Sequence, residues 1–311
     1  MQRQWLSGLL YGLGAGALWG MVFVAPALLA AFSPLQLTVG RYLAYGAVAV
    51  LLLLPLRSLL RAVSGRDWLR LLALSLLGNL LYFVLLAQAV QWVGIAPSSL
   101  IVGLIPVVVM VVGSREQGAL PARLLLGPLL LMVVGTAAIA VDSAQAATGE
   151  LLRPGWQSWA GLLCAFGALL SWAAYAIANR HWLRQRPAYS SQQWSLLTGA
   201  ATGALALLCA PWAFAGASTG PDRDWLLFWG VMLAVAIGAS VVGNALWNGA
   251  SRRLPLTLTG QLILFETLFA LLYGFMFELR WPRPLEWLAM VLMLGGVVWT
   301  LQLFRRQARA C

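Results

Sequence analysis

The chain has 311 residues, 61% of them hydrophobic and only 9% charged, with a mean hydropathy of +0.84. A soluble globular domain carries roughly 25% charged residues, so a chain this apolar needs a bilayer as its solvent. The net charge of +11 comes from 20 arginines and no lysine. They sit in short connections between apolar segments, not in one basic stripe or a nucleic-acid motif, which argues against a nucleic-acid partner.

Apolar runs of about 20 residues, the length that crosses the hydrocarbon as helix, predict spans at 6–29, 35–56, 68–91, 97–114 and 122–141. A second series follows at 158–180, 190–213, 225–248, 256–277 and 284–304. The first run follows a single arginine, Arg3, and is too long for the core of a signal peptide, so it reads as a retained span. The longest polar connection, 142–157, contains Asp142, Glu150, Arg153, Pro154 and Gly155 and reads as a linker between residues 1–141 and 158–311.

Those two stretches repeat one another. Gly8, Gly14 and Trp19 recur as Gly161, Gly167 and Trp172, and Arg66-Asp67-Trp68-Leu69 recurs as Arg223-Asp224-Trp225-Leu226. Gly113, Pro121 and Gly135 recur as Gly274, Pro282 and Gly296. Each copy holds an odd number of spans, so the second must enter the membrane upside down. The expected fold is therefore all-α and integral to the membrane: ten transmembrane helices in two inverted five-helix repeats. Such repeats build alternating-access transporters, with the substrate near the midplane between them.

Arginine distribution sets the orientation. With a cytoplasmic N-terminus, the cytoplasmic side receives Arg3, Arg57, Arg61, Arg66, Arg70, Arg115, Arg123, Arg180, Arg184, Arg186, Arg252, Arg253, Arg305, Arg306 and Arg309. The other side receives Arg153, Arg223, Arg280 and Arg283. Both termini are thus expected to be cytoplasmic, and the two Arg-Asp-Trp-Leu copies fall on opposite faces.

Gly8, Gly12, Gly16 and Gly20 follow the small-xxx-small spacing of closely packed spans. Two ionisable residues fall inside spans, where their cost asks for a partner, water or substrate. Arg41, in the second, either snorkels or caps carbonyls, or it recognises charge. Glu266, in the ninth, is either a hydrogen-bonded buried carboxylate or a proton-coupling group. Polar residues share helical faces: Trp172, Tyr175 and Asn179; Asn244, Trp247 and Asn248; Asn79 and Tyr82. An amide facing lipid is expensive, so these faces point inward. Trp19 and Trp172 occupy equivalent places in the two copies, near the expected pseudo-two-fold axis. Candidate substrate contacts are therefore Trp19, Tyr82, Trp172, Tyr175, Asn179, Asn244, Trp247 and Asn248, with Arg41 and Glu266 for charge recognition or coupling. His181 reads as a solvated helix end. Cys164, Cys209 and Cys311 have no ligand spacing, and neither a metal nor a cofactor is expected.

Trp19-Gly20, Arg41 within Gly40-Arg41-Tyr42-Leu43-Ala44, Pro106 and Glu266 resemble the drug/metabolite transporter superfamily, of the type with two EamA domains. Thr267 stands where that family often has proline after the glutamate, which puts a bend at that point in doubt. The resemblance implies a permease of the bacterial inner membrane that moves small metabolites, often amino acids or drugs, with export the expected direction. A monomer or a weak dimer, a small-molecule substrate, the surrounding lipid and a proton as coupling ion complete the expectation. A lipid flippase is the alternative. An enzyme is not expected, since neither an HExxH motif nor paired intramembrane aspartates occur.

Overall fold

The structure, a computed structural model, describes residues 2–56, 60, 63–106, 108–109, 122–147, 155–215, 224–254, 259 and 262–310. Arg57, Arg61, Arg115, Arg153, Arg223, Gly113, Pro121, Cys311 and linker residues 148–154 lie outside them.

The regular elements among the described residues are helical. In chain order they are α1 (Gln2–Leu28), α2 (Pro34–Leu53), α3 (Gly65–Ser75), α4 (Tyr82–Val93), α5 (Ile95–Val102), α6 (Ala122–Ala147), α7 (Gly155–Arg184), α8 (Ser191–Phe214), α9 (Trp225–Val235), α10 (Asn244–Arg253), α11 (Leu264–Phe277) and α12 (Pro284–Ala310). Among the described residues, six continuous helices are long and apolar enough to cross a bilayer: Gln4–Leu28, Pro34–Leu56, Gly65–Val93, Trp156–Arg184, Ser191–Phe214 and Trp225–Arg253. Arg123–Gly135, Leu264–Phe277 and Pro284–Thr300 are shorter apolar helices. The chain is an integral membrane protein of helical class.

Local chemistry sets several helix starts. Ser33 accepts from the Gln36 amide while the Gln36 side chain accepts from the Ser33 amide, a reciprocal cap that satisfies donors the first turn leaves open. Ser190 and Gln193 repeat that arrangement before α8. Ser64 caps α3, and Asp224 caps α9 through the Leu227 amide at 2.8 Å.

Two spans change their winding midway. Between α3 and α4, and again between α9 and α10, the chain makes wide π-helical turns at Leu76–Leu81 and Ala236–Gly243. Such turns disturb the regular backbone ladder. Here two of their carbonyls bond to side chains of other spans: Ala239 accepts from the Trp19 indole at 3.0 Å, and Leu77 accepts from the Ser171 hydroxyl at 2.7 Å.

The principal packings are α2 on α8, α6 on α12, α1 on α11 and α4 on α7. Where α2 crosses α8, Gly46 and Gly203 meet backbone to backbone: a Cβ on Gly46 would lie 2.4 Å from the Gly203 Cα. The glycines of α1 serve the same end, since a Cβ on Gly16 would meet the Glu266 amide and one on Gly20 the Ala270 amide. One continuous core gathers Trp19, Phe23, Tyr42, Tyr45, Phe83, Trp172, Trp194 and Phe228 from both parts of the chain.

The α2–α8 contact predicts that Gly46→Ala and Gly203→Ala each destabilise the protein by about 1–3 kcal/mol, the usual cost of overpacking. Gly230→Ala, whose Cβ meets open space, should not destabilise it. Thermal unfolding of the detergent-purified variants measures the difference.

Candidate functional site

The side chains singled out by the sequence are buried and fall into three groups. The first is aromatic. Trp19 of α1 meets Trp172 of α7 with ring centroids 5.5 Å apart, and both meet Trp247 of α10 at 5.3 Å. Tyr175 closes the group at 5.6 Å from Trp172. The rings pack edge-to-face or tilted, as their quadrupoles favour. The Trp19 indole is anchored to the π-turn carbonyl of Ala239, whereas the buried Trp247 Nε1 has no partner.

The second group is ionisable. Arg41 of α2 is 5% exposed and directs Nε and Nη2 at the Ser240 hydroxyl, at 3.2 and 3.1 Å. Its guanidinium lies 4.5 Å from the Phe83 ring centroid and 4.9 Å from that of Tyr42, so aromatic faces take the place of a carboxylate. Glu266, in the first turn of α11, is 3% exposed and accepts from the Tyr82 hydroxyl at 3.2 Å. Arg41 Nη1 and Glu266 Oε2 are both buried without a hydrogen-bond partner. Arg41 is thus neither snorkelling nor capping a carbonyl.

The third group is amide-centred. Asn179 of α7 donates to Asn248 Oδ1 of α10 at 2.9 Å and accepts from the Trp194 indole of α8 at 2.8 Å. It therefore ties three helices together. The Tyr45 hydroxyl of α2 donates to the Ser195 carbonyl at 2.7 Å, and Asn244 is buried at the start of α10. Asn79 donates to Thr202 at 2.8 Å.

The arginines at the helix ends have other duties. Asp67, at the start of α3, accepts from Ser64, Arg70 and Arg186, so Arg186 ties the connection after α7 to α3. That hydrogen bond with Asp67 raises the Arg186 guanidinium above its ordinary range. Arg180 donates to the carbonyls of Ser251 and Leu254, and Arg252 to that of Tyr189. Near the start of α12, Arg280 holds Glu286 with two bonds of 2.8 Å and is itself raised, chiefly by that partner. His181 is exposed beside Gln185 at the end of α7. Cys164 and Cys209 are free and half-buried. No metal-ligating cluster occurs among the described residues.

The family model of the EamA-like transporters matches residues 6–141 and again 159–302. The chain belongs to the EamA-like transporter family. It is 34% identical over 303 residues to the inner membrane protein YtfF of Escherichia coli strain K12, covering 94% of each chain. A solved crystal structure superimposes with a TM-score of 0.73 at 21% identity, over 96% of this chain and 98% of that one, which supports the fold. An EamA-family membrane transporter accounts for the apolar spans and for polar side chains turned toward one another. At the position of the familial proline, Thr267 is buried within continuous α11, its hydroxyl directed at the Ser99 carbonyl at 3.4 Å.

Several participants escaped the sequence reading. Ser240 is a lone hydroxyl in an apolar run and could have been marked as the counterpart of a buried cation. Phe83 and Tyr42 could not, because an aromatic in a span reads equally well as facing lipid.

If Asn179 ties helices in this way, Asn179→Leu strands the Trp194 indole and the Asn248 carbonyl oxygen. Each orphaned buried group costs about 1–3 kcal/mol. The variant should unfold at clearly lower temperature, and a wild-type melting curve would reduce Asn179 to a dispensable contact.

Proposed function

We propose that this chain is a permease of the bacterial inner membrane that exports small metabolites, such as amino acids or amphipathic drugs, by alternating access. On this reading residues 1–141 and 158–311 are two inverted five-helix repeats joined by 142–157, with both termini cytoplasmic. The protein works as a monomer or a weak dimer. The inner-membrane placement follows that of the relative YtfF, an inner membrane protein.

The observation that carries the reading is the meeting of Trp19, from the first half, with Trp172 and Trp247 from the second, deep among the spans. Helix packing supports it. A two-fold operation exchanging the halves maps the α2–α8 and α6–α12 pairs onto themselves. It maps the packing of α1 on α10 and its π turn onto that of α7 on α4 and its π turn. It maps α1 on α11 onto α7 on α5. Gly46 and Gly203 then lie on the axis, as a self-contact between equivalent positions would. A transporter must rock about such a centre.

Trp19, Tyr82, Trp172, Tyr175, Asn179, Asn244, Trp247 and Asn248 form the substrate-facing set, and Arg41 and Glu266 supply charge recognition or proton coupling. Their tight mutual packing suits an occluded arrangement that opens when the halves tilt. The Asp67–Arg186 ion pair and the hydrogen bond from Arg180 to the Leu254 carbonyl would then close the cytoplasmic end.

A lipid flippase is the second reading, favoured by one feature. A groove of about 790 Å³ opens between α1, α11 and α12, lined by Phe265, Phe269, Leu272, Met276 and Trp287, with Arg280 and Trp281 at one end. Reconstitution with fluorescent phospholipid against soluble amino acids separates the two, since only a flippase moves the former.

Glu266→Gln should abolish transport driven by a pH gradient in proteoliposomes while leaving the protein folded. Unchanged gradient dependence would remove the carboxylate from coupling. Trp19→Ala and Trp172→Ala should each weaken substrate binding by about tenfold or more, as loss of a packed aromatic contact implies. Normal binding by both would return these rings to packing.

A further inference from the structure

Arg252 and Arg253 close α10 at the end of the apolar span Trp225–Arg253, and neither has a carboxylate partner among the described residues. Arg252 donates through Nη2 to the Tyr189 carbonyl, and its Nε is buried without a partner. Arg253 donates to the Gly249 carbonyl at 2.8 Å, and its guanidinium lies 4.8 Å from the Tyr11 ring centroid. The carbonyl end of a helix favours cations, yet two adjacent guanidiniums repel each other. Each offers a fork of N–H donors, and one carbonyl apiece leaves most of them open.

Close packing builds cavities around the pair. A Cβ on Gly8 of α1 would lie 3.2 Å from the Arg253 Cβ, and one on Gly249 would lie 2.7 Å from the Tyr11 ring. Gln4 and Ser7 of α1 therefore join both arginines around a cavity of about 450 Å³. Arg253 also lines a second cavity of about 480 Å³, together with Tyr11 and with Ser191 and Gln192 at the start of α8. Its remaining wall is largely apolar, with Leu196 of α8, Val242 of the π turn and Leu246 of α10. No acidic side chain among the described residues lines either cavity, and neither shares a residue with the groove between α1, α11 and α12.

We propose that this end of the bundle holds one resident anionic phospholipid, its phosphate on Arg252 and Arg253 and an acyl chain along Val242 and Leu246. Depth points to a lipid, because arginines that end an apolar span sit at the level of the headgroups. The apolar wall points the same way. Val242 and Leu246 precede Arg253 in one span, so the wall runs from the arginines toward mid-span, and Val242 is exposed on the surface that faces the bilayer. Charge selects the headgroup. A net negative one neutralises the arginine pair, whereas a choline headgroup would bring a further cation into cavities without an acidic side chain. Such a lipid bridges α1 of the first half to α8 and α10 of the second, and a ligand of the folded state stabilises it. The inference goes beyond transport and does not depend on what the protein carries.

The test titrates purified, delipidated full-length protein in detergent with dioleoyl phosphatidylglycerol, dioleoyl phosphatidylcholine and glycerol 3-phosphate. Unfolding temperature and native mass spectra are the readouts. Phosphatidylglycerol should persist as a single adduct and raise the unfolding temperature by several degrees, and the other two should do neither. Arg253→Gln, which changes an exposed side chain, should weaken phosphatidylglycerol binding about fivefold, and the double variant Arg252→Gln/Arg253→Gln about thirtyfold. Arg184→Gln, at the exposed end of α7, should leave it unchanged.

Equal binding of phosphatidylcholine overturns the proposal. So does an equal loss in Arg184→Gln, which would reduce the pair to general surface charge. Glycerol 3-phosphate binding as tightly as the phospholipid makes the site one for soluble phosphates and removes the lipid. Should the double variant fail to fold, Arg253→Gln and the order of the three probes on the wild type decide the matter. Failure of every carriage assay in proteoliposomes would remove the transport reading and leave this site standing.

Discussion

A polar group in the hydrocarbon has no water to fall back on, so each one must find its partner within the chain. The internal architecture follows from that constraint. Trp19, Ser171, Tyr45 and Arg180 all donate to backbone carbonyls of other helices, and Asn79 and Asn179 reach side chains of other helices. In water such bonds would exchange with solvent at little cost. Between spans they fix which helix lies beside which. The π turns at Leu76–Leu81 and Ala236–Gly243 matter for the same reason, because they offer carbonyls to neighbouring spans at mid-helix.

Close approach is the second requirement, since side chains in a bilayer gain nothing by hiding from water and helices associate through packing and polar contacts. The glycines of α1 let it lie against the α11 backbone at the level of Glu266. That contact fixes the backbone from which the buried carboxylate projects. Packing and chemistry are therefore joined at one place: the small residues of one span position the ionisable residue of another.

Much of this was legible in the sequence. Helical class and membrane residence followed from composition, and α2, α8 and the span at Gly65–Val93 lie close to their expected bounds. The paired caps at Ser33/Gln36 and Ser190/Gln193 are visible as a repeated Ser-x-x-Gln. Arg41 and Glu266 stood out because charge is costly in lipid, and Trp19 and Trp172 because they recur at equivalent places in the two copies. The partners did not stand out. Nothing local to Trp194 or Asn248 announces that both will meet Asn179, because that contact is set by how three helices cross. The π turns were equally hidden, since residues such as Leu76-Leu77-Gly78 serve an ordinary helix as well.

The Gly46–Gly203 crossing bears on how this chain can tolerate change. Most tight contacts in proteins can be repaired in place, with a larger residue on one side offset by a smaller one opposite. Here both sides already hold the smallest residue there is. No second substitution at the contact can restore the lost room, so any suppressor of a change at either glycine must lie elsewhere, in side chains whose trimming lets α2 and α8 move apart.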